Sequence, residues 1–209
     1  LVVVGTPIGN LDDLSPRAAA QLRDADLVAC EDTRRTATLL RHAGSHIRMM
    51  AVHQHNEAAR AADLVARMLA GATVAFVSDA GMPLVSDPGA RVVRAAVDAG
   101  LIVTVIPGPS AVTVALAASG LAGEDGFTFL GFVPRKGAER RRAMERIGAL
   151  AVPAVAFESP QRLPALLAEI AAAWPERPLA ICRELTKLHE EVVRGTAAEM
   201  VGRFPEPPR

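Results

Sequence analysis

Residues 73–106 read TVAFVSDAGMPLVSDPGARVVRAAVDAGLIVTVI, and this stretch decides the fold. A run rich in β-branched residues, 73–78, precedes a loop of glycine, proline and aspartate. An alanine-rich amphipathic stretch, 85–99, follows and is ended by Gly100, before a second β-branched run at 102–106. Two strands joined by a helix of this length are typical of a right-handed βαβ crossover, so the stretch predicts parallel strands in one sheet.

The same alternation of strand and helix extends on both sides of this stretch. Three more strands are predicted at 1–4, 27–30 and 48–52, and four more helices at 15–25, 33–42, 57–70 and 110–119. Asp32 or Thr33 is the predicted N-cap of the helix over 33–42. These elements predict an α/β fold with a mostly parallel sheet, and a first domain of residues 1–119.

The composition changes at residues 120–126, GLAGEDG, which we interpret as a linker between domains. Beyond the linker, strands are predicted at 127–133, 153–158, 179–183 and 192–194, and helices at 137–148 and 160–173. A last helix is predicted from Thr196. Residues 127–209 therefore predict a second, smaller domain of mixed α and β structure.

The charge and the cysteine content restrict the classes of partner. The chain has 23 basic and 23 acidic residues and only 3% aromatic residues, so any surface that binds nucleic acid must be local. Two cysteines without a CxxC pair favour a reduced, cytoplasmic compartment. No apolar stretch reaches the roughly 20 residues that a membrane-spanning helix needs, so no membrane partner is expected.

Several common ligand motifs are missing from the sequence. Neither GxGxxG nor GxxxxGK[ST] occurs, which argues against a dinucleotide and a P-loop nucleotide, and HExxH is also absent. His53 and His55 are two residues apart and could face one way to bind a metal ion, or they could be hydrated or capping side chains. We expect no metal site.

Three loops that follow predicted strands carry the strongest ligand signals. They are Gly5-Thr6-Pro7-Ile8-Gly9-Asn10-Leu11, the twelve residues 78–89, and Ile106-Pro107-Gly108-Pro109-Ser110. Ligands of open α/β sheets bind at the carboxyl ends of the strands, where these loops lie. Each loop alone is also compatible with a tight strand-to-helix turn, and Ser110 is placed to cap the helix after it.

Seven motifs in this order resemble the tetrapyrrole methylase family, and more narrowly its ribosomal RNA small subunit methyltransferase I branch. The resemblance covers essentially the whole chain. Its motifs are Gly5–Leu11, Glu31-Asp32-Thr33-Arg34, Ser78–Gly89, Pro107-Gly108-Pro109-Ser110-Ala111, Gly131-Phe132-Val133-Pro134-Arg135-Lys136, Glu158-Ser159-Pro160-Gln161-Arg162, and residues 183–191 with Arg194-Gly195. The chain has Ala80-Gly81-Met82-Pro83 where the tetrapyrrole-synthesis branches commonly carry Gly-Asp-Pro, which favours the RNA branch.

The resemblance implies two α/β domains of the tetrapyrrole-methylase type, with the cofactor S-adenosylmethionine in an interdomain cleft. Carried over residue by residue, it implies contacts to this methyl donor from both halves of the chain. These residues are Pro7, Ser78, Asp79, Ala80, Gly81, Pro83, Pro109, Ser110, Ala111, Phe132, Glu158, Ser159, Pro160, Leu185 and Thr186.

The resemblance further implies 2′-O-methylation of a cytidine ribose in 16S ribosomal RNA, the RNA of the small subunit. Four residues are our candidates for the chemistry: Asp32, Arg34, Glu184 and Lys187, with Glu31 beside them. Helix capping is an equal alternative for the first pair, and a salt bridge for the second. Contacts to RNA phosphates are predicted for Arg135, Lys136, Arg140 and Arg141, although a solvated helix would carry the same charges.

The partners follow from the same resemblance. We expect the small-subunit RNA or the assembled small subunit as substrate, and a homodimer as the oligomeric state. The branch normally continues with a further C-terminal segment beyond residue 209. Two alternatives stay open: a methyltransferase of a tetrapyrrole or other small molecule on the same fold, and a non-catalytic ribosome-binding protein.

Overall fold

A computed structural model describes residues 1–53 and 55–208 of the chain. The chain divides into two compact units, Leu1–Ala111 and Val112–Arg209. The division at 1–119, 120–126 and 127–209 stays a prediction, and position 209 lies outside the described residues.

The first unit is built on a five-stranded parallel sheet. Its strands follow the order β3-β2-β4-β1-β5, and every neighbouring pair is parallel, which confirms the α/β prediction. The strands are β1 (Val2–Val4), β2 (Leu27–Cys30), β3 (Met49–Ala51), β4 (Val74–Val77) and β5 (Thr104–Ile106). The helices are α1 (Pro16–Asp24), α2 (Thr33–Ala43), α3 (Glu57–Leu69) and α4 (Ala90–Asp98), with a 3₁₀ turn at Leu11–Asp13.

Both faces of the central strands of this sheet are covered. Each central strand contributes side chains to two separate core clusters: Ala29 and Phe76 lie in one, and Val28 and Ala75 in the other. All four of these residues have no exposed surface. Burial on both faces explains why the strands read as continuous apolar runs rather than as alternating patterns.

Local signals in the sequence set the ends of the helices. The Ser15 side chain accepts a hydrogen bond from the Ala18 N–H at the start of α1. Of the two predicted N-cap residues of α2, Asp32 and Thr33, the N-cap is Asp32, whose side chain accepts from the Arg34 N–H. Gly44 ends α2 in the left-handed conformation that glycine adopts without strain.

The predicted helix over 85–99 is wrong at its start, because α4 begins only at Ala90. Leu84 and Ser86 have φ values of 72° and 66°, and Gly89 has a φ of 122°, all outside the helical region. Pro88 also disfavours a helical conformation in the residue before it. Residues 78–89 therefore form one continuous loop.

The second unit combines two small sheets with helices. Strands β6 (Thr128–Phe132) and β7 (Ala154–Phe157) pair in parallel, while β8 (Pro178–Arg183) and β9 (Glu191–Thr196) form an antiparallel pair. The predicted helix over 160–173 begins as a 3₁₀ turn, Pro160–Arg162. The helices are α5 (Ala111–Ser119, which starts at the division), α6 (Gly137–Ala149), α7 (Leu163–Ala173) and α8 (Ala197–Arg203).

The helices of the second unit bury an apolar core of their own. Met144 and Ile147 of α6 pack with Leu166 and Ile170 of α7 in one cluster. Thr196 starts α8 with a capping box, in which the Thr196 side chain accepts from the Glu199 N–H and the Glu199 carboxylate accepts from the Thr196 N–H. This confirms the predicted last helix from Thr196.

Candidate functional site

Three predicted ligand loops meet at the carboxyl ends of β4, β1 and β5 in the first unit. The Gly5 N–H donates to the Ile106 carbonyl at 2.9 Å. The Thr6 N–H donates to the Gly81 carbonyl at 2.9 Å, and the Gly81 N–H donates back to the Thr6 carbonyl at 3.2 Å. The buried Thr6 hydroxyl also donates to the Gly81 carbonyl. The loops therefore form one connected group.

Glycine is required where these loops touch. A Cβ atom on Gly5 would lie 2.5 Å from the Gly108 nitrogen and 2.6 Å from the Met82 sulfur. A Cβ atom on Gly108 would lie 2.7 Å from the Gly5 carbonyl carbon. Gly81 has a φ of 80°, which few other residues adopt. These glycines therefore allow the backbones of the three loops to pack in direct contact.

Four carboxylates gather beside these loops: Glu31, Asp32, Asp79 and Asp87. The Asp32 N–H donates to the Asp79 Oδ1 at 3.0 Å. Burial raises the pKa of Glu31, and the neighbouring charges of Asp79 and Asp87 raise it further. Burial also raises the pKa of Asp87, against a lowering hydrogen bond from Ser78. Asp87 was missed as a functional candidate, because Asp87-Pro88-Gly89 fits an ordinary turn.

Asp32 differs from its neighbours because Arg34 surrounds it. Arg34 donates from its backbone N–H, its Nε and its Nη2 at 2.9, 3.1 and 2.8 Å. These hydrogen bonds lower the pKa of Asp32 to about 2. The structure thus brings the predicted pair Asp32 and Arg34 together, with Asp32 also capping α2, while the Arg34 side chain stays 89% exposed.

The remaining residues of the first unit that are predicted to contact the methyl donor lie in the same loops. Pro7 is buried directly after Thr6, and the Ser78 hydroxyl oxygen lies 3.4 Å from the Ala80 carbonyl oxygen. The Pro109 carbonyl lies 3.4 Å from where a Gly81 Cβ would stand.

In the second unit, Glu158 and Ser159 follow β7. The Glu158 side chain is 6% exposed, and its Oε1 accepts from the Ser159 N–H at 2.7 Å and contacts the Arg162 Nη2. The Glu158 Oε2 and the Arg162 Nη1 are buried without a hydrogen-bond partner among residues 1–53 and 55–208. Arg162 was not among the predicted site residues, although it ends the motif that drew attention to Glu158.

An aromatic side chain lies at the end of the neighbouring strand. Phe132 ends β6 and is 59% exposed, which is unusual for a phenylalanine. Its ring centroid lies 5.4 Å from that of Phe157 in β7, so the two strands present a small aromatic surface. Pro160 begins the 3₁₀ turn after Glu158 and Ser159.

The turn between β8 and β9 holds the second pair of candidate catalytic residues. The Lys187 Nζ lies 3.2 Å from the Glu184 Oε2, so the predicted residues Glu184 and Lys187 form an ion pair. Glu184 and Thr186 have φ values of 50° and 65°, an uncommon conformation for residues other than glycine. The Thr186 N–H donates to the Glu190 carboxylate at 2.6 Å, and half-buried Leu185 lies between the two strained residues.

The four predicted RNA contacts fall into two groups. Arg140 is held inside the second unit, because its Nε donates to the Glu169 Oε2 at 2.7 Å and its Nη1 to the Pro134 carbonyl. Arg135, Lys136 and Arg141 are exposed. The exposed group is the better placed of the two for phosphates.

Neither a metal-binding cluster nor a membrane-spanning helix occurs in the described part of the chain. Residues 1–53 and 55–208 hold no group of three or more His, Cys, Asp or Glu side chains that could bind a metal ion. The His53 Nε2 lies 3.1 Å from the Asn56 Nδ2, and its ring packs edge-on against His55. None of the helices within these residues has the length and apolar character to cross a membrane.

Solved structures share this fold. Uroporphyrin-III C-methyltransferase from Thermus thermophilus superposes with a TM-score of 0.67 at 23% identity, covering all of this chain and 90% of that one. A second structure of a Thermus thermophilus uroporphyrin-III C-methyltransferase, complexed with S-adenyl homocysteine, has a TM-score of 0.66 at 19% identity, with 100% and 92% coverage.

Sequence comparisons are more specific. Residues 1–201 match the model of the tetrapyrrole (corrin/porphyrin) methylases. Ribosomal RNA small subunit methyltransferase I of Mycobacterium tuberculosis is 49% identical over 96% of this chain and 71% of its own length. The protein of that name in Thermotoga maritima is 42% identical, with 98% and 91% coverage. The chain belongs to the tetrapyrrole methylase family, and within it to the ribosomal RNA small subunit methyltransferase I group.

Proposed function

We propose that this chain transfers a methyl group from S-adenosylmethionine to the 2′-hydroxyl of a cytidine ribose in 16S ribosomal RNA. The observation that carries the proposal is the identity of 42–49% to proteins named ribosomal RNA small subunit methyltransferase I, over nearly the whole chain. The cytidine and the 2′-oxygen rest on the sequence resemblance alone, and the experiment below tests both.

The loops of the first unit fit the proposed methyl donor. Gly5, Gly81 and Gly108 let the three loops pack against one another more closely than side chains would permit, which holds the residues of these loops together at one edge of the sheet. We assign Pro7, the residues of the 78–83 segment and the Pro109–Ala111 segment to the contact. When bound, S-adenosylmethionine supplies a methyl group on a positively charged sulfur, which leaves as a neutral thioether. The loops need mainly to orient it and to exclude water.

The second unit offers an unused acceptor for the same ligand. Buried polar atoms almost always have a hydrogen-bond partner, and the Glu158 Oε2 has none within the described residues. The amine and hydroxyl groups of the methyl donor are hydrogen-bond donors that would satisfy it. Arg162 fixes the carboxylate through the other oxygen. Phe132, Ser159, Pro160, Leu185 and Thr186 complete the contacts we propose.

A ribose hydroxyl is a weak nucleophile and benefits from a group that accepts its proton. Asp32, with a pKa of about 2, is a poor acceptor at neutral pH, and we propose instead that it orients Arg34. Glu31 and Asp87 have raised pKa values and are stronger bases. In the Glu184–Lys187 pair, the ammonium would stabilise negative charge on the attacking oxygen.

The substrate would be held by exposed cations of the second unit. We propose that Arg135, Lys136 and Arg141 contact phosphates, and that Arg140 supports them through its bond to the Pro134 carbonyl. The resemblance also implies a homodimer, and a bacterial ribosomal substrate implies work in the cytoplasm. Light scattering of the purified chain tests the dimer: a monomer mass at micromolar concentration would contradict it.

The decisive experiment is a methyl-transfer assay with radiolabelled S-adenosylmethionine. Small ribosomal subunits from a strain that lacks the corresponding enzyme are the substrate, and subunits from its parent, which are already methylated, are the matched control. We expect label in the 16S RNA of the first sample only. Digestion should then give a cytidine dinucleotide that resists alkali, as 2′-O-methylation requires.

The other outcomes separate the alternatives. Label on a tetrapyrrole but not on RNA would favour the small-molecule methyltransferase. Binding to subunits without transfer, together with no change in melting temperature on adding S-adenosylmethionine, would favour the non-catalytic ribosome-binding protein. Label on a base rather than on the ribose would refute the 2′-oxygen but retain the RNA substrate.

A further inference from the structure

A buried carboxylate outside all the motifs holds the loop over residues 78–89. Glu57 is the first residue of α3 and is 7% exposed. Its Oε1 accepts a hydrogen bond from the Gly89 N–H at 2.9 Å and from the Arg91 N–H at 2.8 Å. Both donors belong to the start of α4, so a side chain of one helix caps another helix.

This external cap replaces one that α4 lacks. The N-cap residue of α4 is Gly89, which has no side chain to accept from the first turn. The first N–H groups of a helix have no partner within the helix and carry partial positive charge. The buried Glu57 carboxylate accepts from two N–H groups at this end, those of Gly89 and Arg91, and these two hydrogen bonds in turn compensate for its burial.

The Glu57 cap fixes the C-terminal end of the loop over residues 78–89, and hydrogen bonds to Thr6 already fix its N-terminal end. Near the end of β4, Gly81 is bonded to Thr6 in both directions. At the other end, a Cβ atom on Gly89 would lie 2.5 Å from the Phe76 ring, so Gly89 is pressed against β4. Between these points, Leu84 and Ser86 adopt positive φ values, which persist only where the surroundings enforce them.

We propose that Glu57 is a positioning residue for methyl-donor binding. By holding Gly89 and Arg91 it keeps residues 82–88 in the conformation that places Asp87 beside Ser78 and Glu31. In this role Glu57 acts through the loop rather than by direct contact with the ligand. The inference rests on the proposed function, because it assumes that the loop over residues 78–89 binds S-adenosylmethionine.

Three variants of Glu57 separate the effect of side-chain length from that of charge. Glu57→Gln keeps the length and one acceptor oxygen, Glu57→Asp keeps the charge but is one methylene shorter, and Glu57→Ala removes both. Leu64→Ala is the matched control, since Leu64 is fully buried in the same helix and lies in the core rather than at the loop. Each variant is studied below its own melting temperature.

Two measurements are made on each variant: the dissociation constant of S-adenosylmethionine by calorimetry, and hydrogen exchange at the Gly89 and Arg91 amides. We expect Glu57→Ala and Glu57→Asp to weaken binding by about 10- to 100-fold and to speed exchange at both amides. Glu57→Gln should stay within about 3-fold of the wild type. Leu64→Ala should lower the melting temperature without changing the dissociation constant, as a purely structural defect would.

The outcomes distinguish this inference from the proposed function. If the wild type binds S-adenosylmethionine and Glu57→Ala binds it equally well, the positioning role is wrong and the proposed function stands. Unchanged exchange at the two amides in Glu57→Ala also overturns the role, whatever the ligand. If the wild type does not bind S-adenosylmethionine, the proposed function fails and the inference fails with it.

Discussion

Replacement of Gly5 by alanine tests the contact between the loops after β1 and β5. The added Cβ atom would lie 2.5 Å from the Gly108 nitrogen, whereas an ordinary contact needs at least 3.4 Å. The two backbones must therefore separate by about 0.9 Å. The Met82 sulfur at 2.6 Å belongs to a flexible side chain and can move, but the Gly108 nitrogen and Cα are backbone atoms that cannot rotate away.

The magnitude follows from the cost of overpacking. Inserting a methyl group into a filled contact typically lowers the free energy of unfolding by about 1–3 kcal/mol. For a chain of 209 residues, each kcal/mol shifts the melting temperature by roughly 2–4 °C, so we expect a decrease of about 2–12 °C. A shift of about 1 Å in a ligand-positioning group can reduce the rate by about 100-fold. We therefore expect a decrease in the methyl-transfer rate of up to about 100-fold beside the decrease in melting temperature.

The assay combines thermal unfolding with methyl transfer on small subunits. Gly123→Ala is the matched control, because a Cβ atom there meets no atom within 4 Å and its φ is not in the left-handed region. That variant should unfold within a few degrees of the wild type and retain its transfer rate. If Gly5→Ala matched the wild type in both melting temperature and transfer rate, the reasoning about this contact would be refuted.

Three further predictions concern charge and capping. Because the pKa of Glu31 is raised in the folded state, its ionisation destabilises the fold as pH rises from about 4.5 through that pKa. Glu31→Gln should therefore raise the free energy of unfolding more at pH 7 than at pH 4. Equal changes at the two pH values in denaturant titrations would contradict this. Exchanging Arg135, Lys136 and Arg141 for glutamine should reduce the slope of log affinity for the RNA against log salt by about 2–3, and an unchanged slope would exclude them as phosphate contacts. Thr196→Ala removes the capping box of α8 and should cost about 1 kcal/mol in urea unfolding, whereas no loss would mean that the cap is not needed.

The parallel sheet could be predicted from the sequence because its signals are local. Each strand of the first unit is a short apolar run between turn residues, and Asp32 and Ser15 are side chains that cap the helices they precede. The predicted strand ends differ from the observed ones by one or two residues, within the ordinary uncertainty of such boundaries. The loops after β1, β4 and β5 could also be selected, since strand ends and glycine-proline clusters are visible in the sequence.

The start of α4 could not be predicted because it depends on contacts distant in the chain. Residues 85–89 have no feature that excludes a helix except Pro88 and Gly89, and the observed conformation depends on Glu57, which lies 32 residues before Gly89. The burial of Glu57 is equally invisible, because a glutamate at the start of a helix is usually solvated. For the same reason, the sequence could not show that Arg140 forms an ion pair with Glu169, which lies 29 residues later in the chain.

Glu31 and Asp32 are adjacent, yet their pKa values move in opposite directions. Arg34 holds Asp32 ionised, while burial and the charges of Asp79 and Asp87 make ionisation of Glu31 unfavourable. A purely structural cap would need only the first of these environments. The environment of Glu31 destabilises the fold at neutral pH, and a single substitution could remove the repulsion between the carboxylates. A cluster that is costly in this way is typical of functional sites. The opposite pKa shifts support the proposal that Glu31, rather than Asp32, accepts the proton at the end of β2.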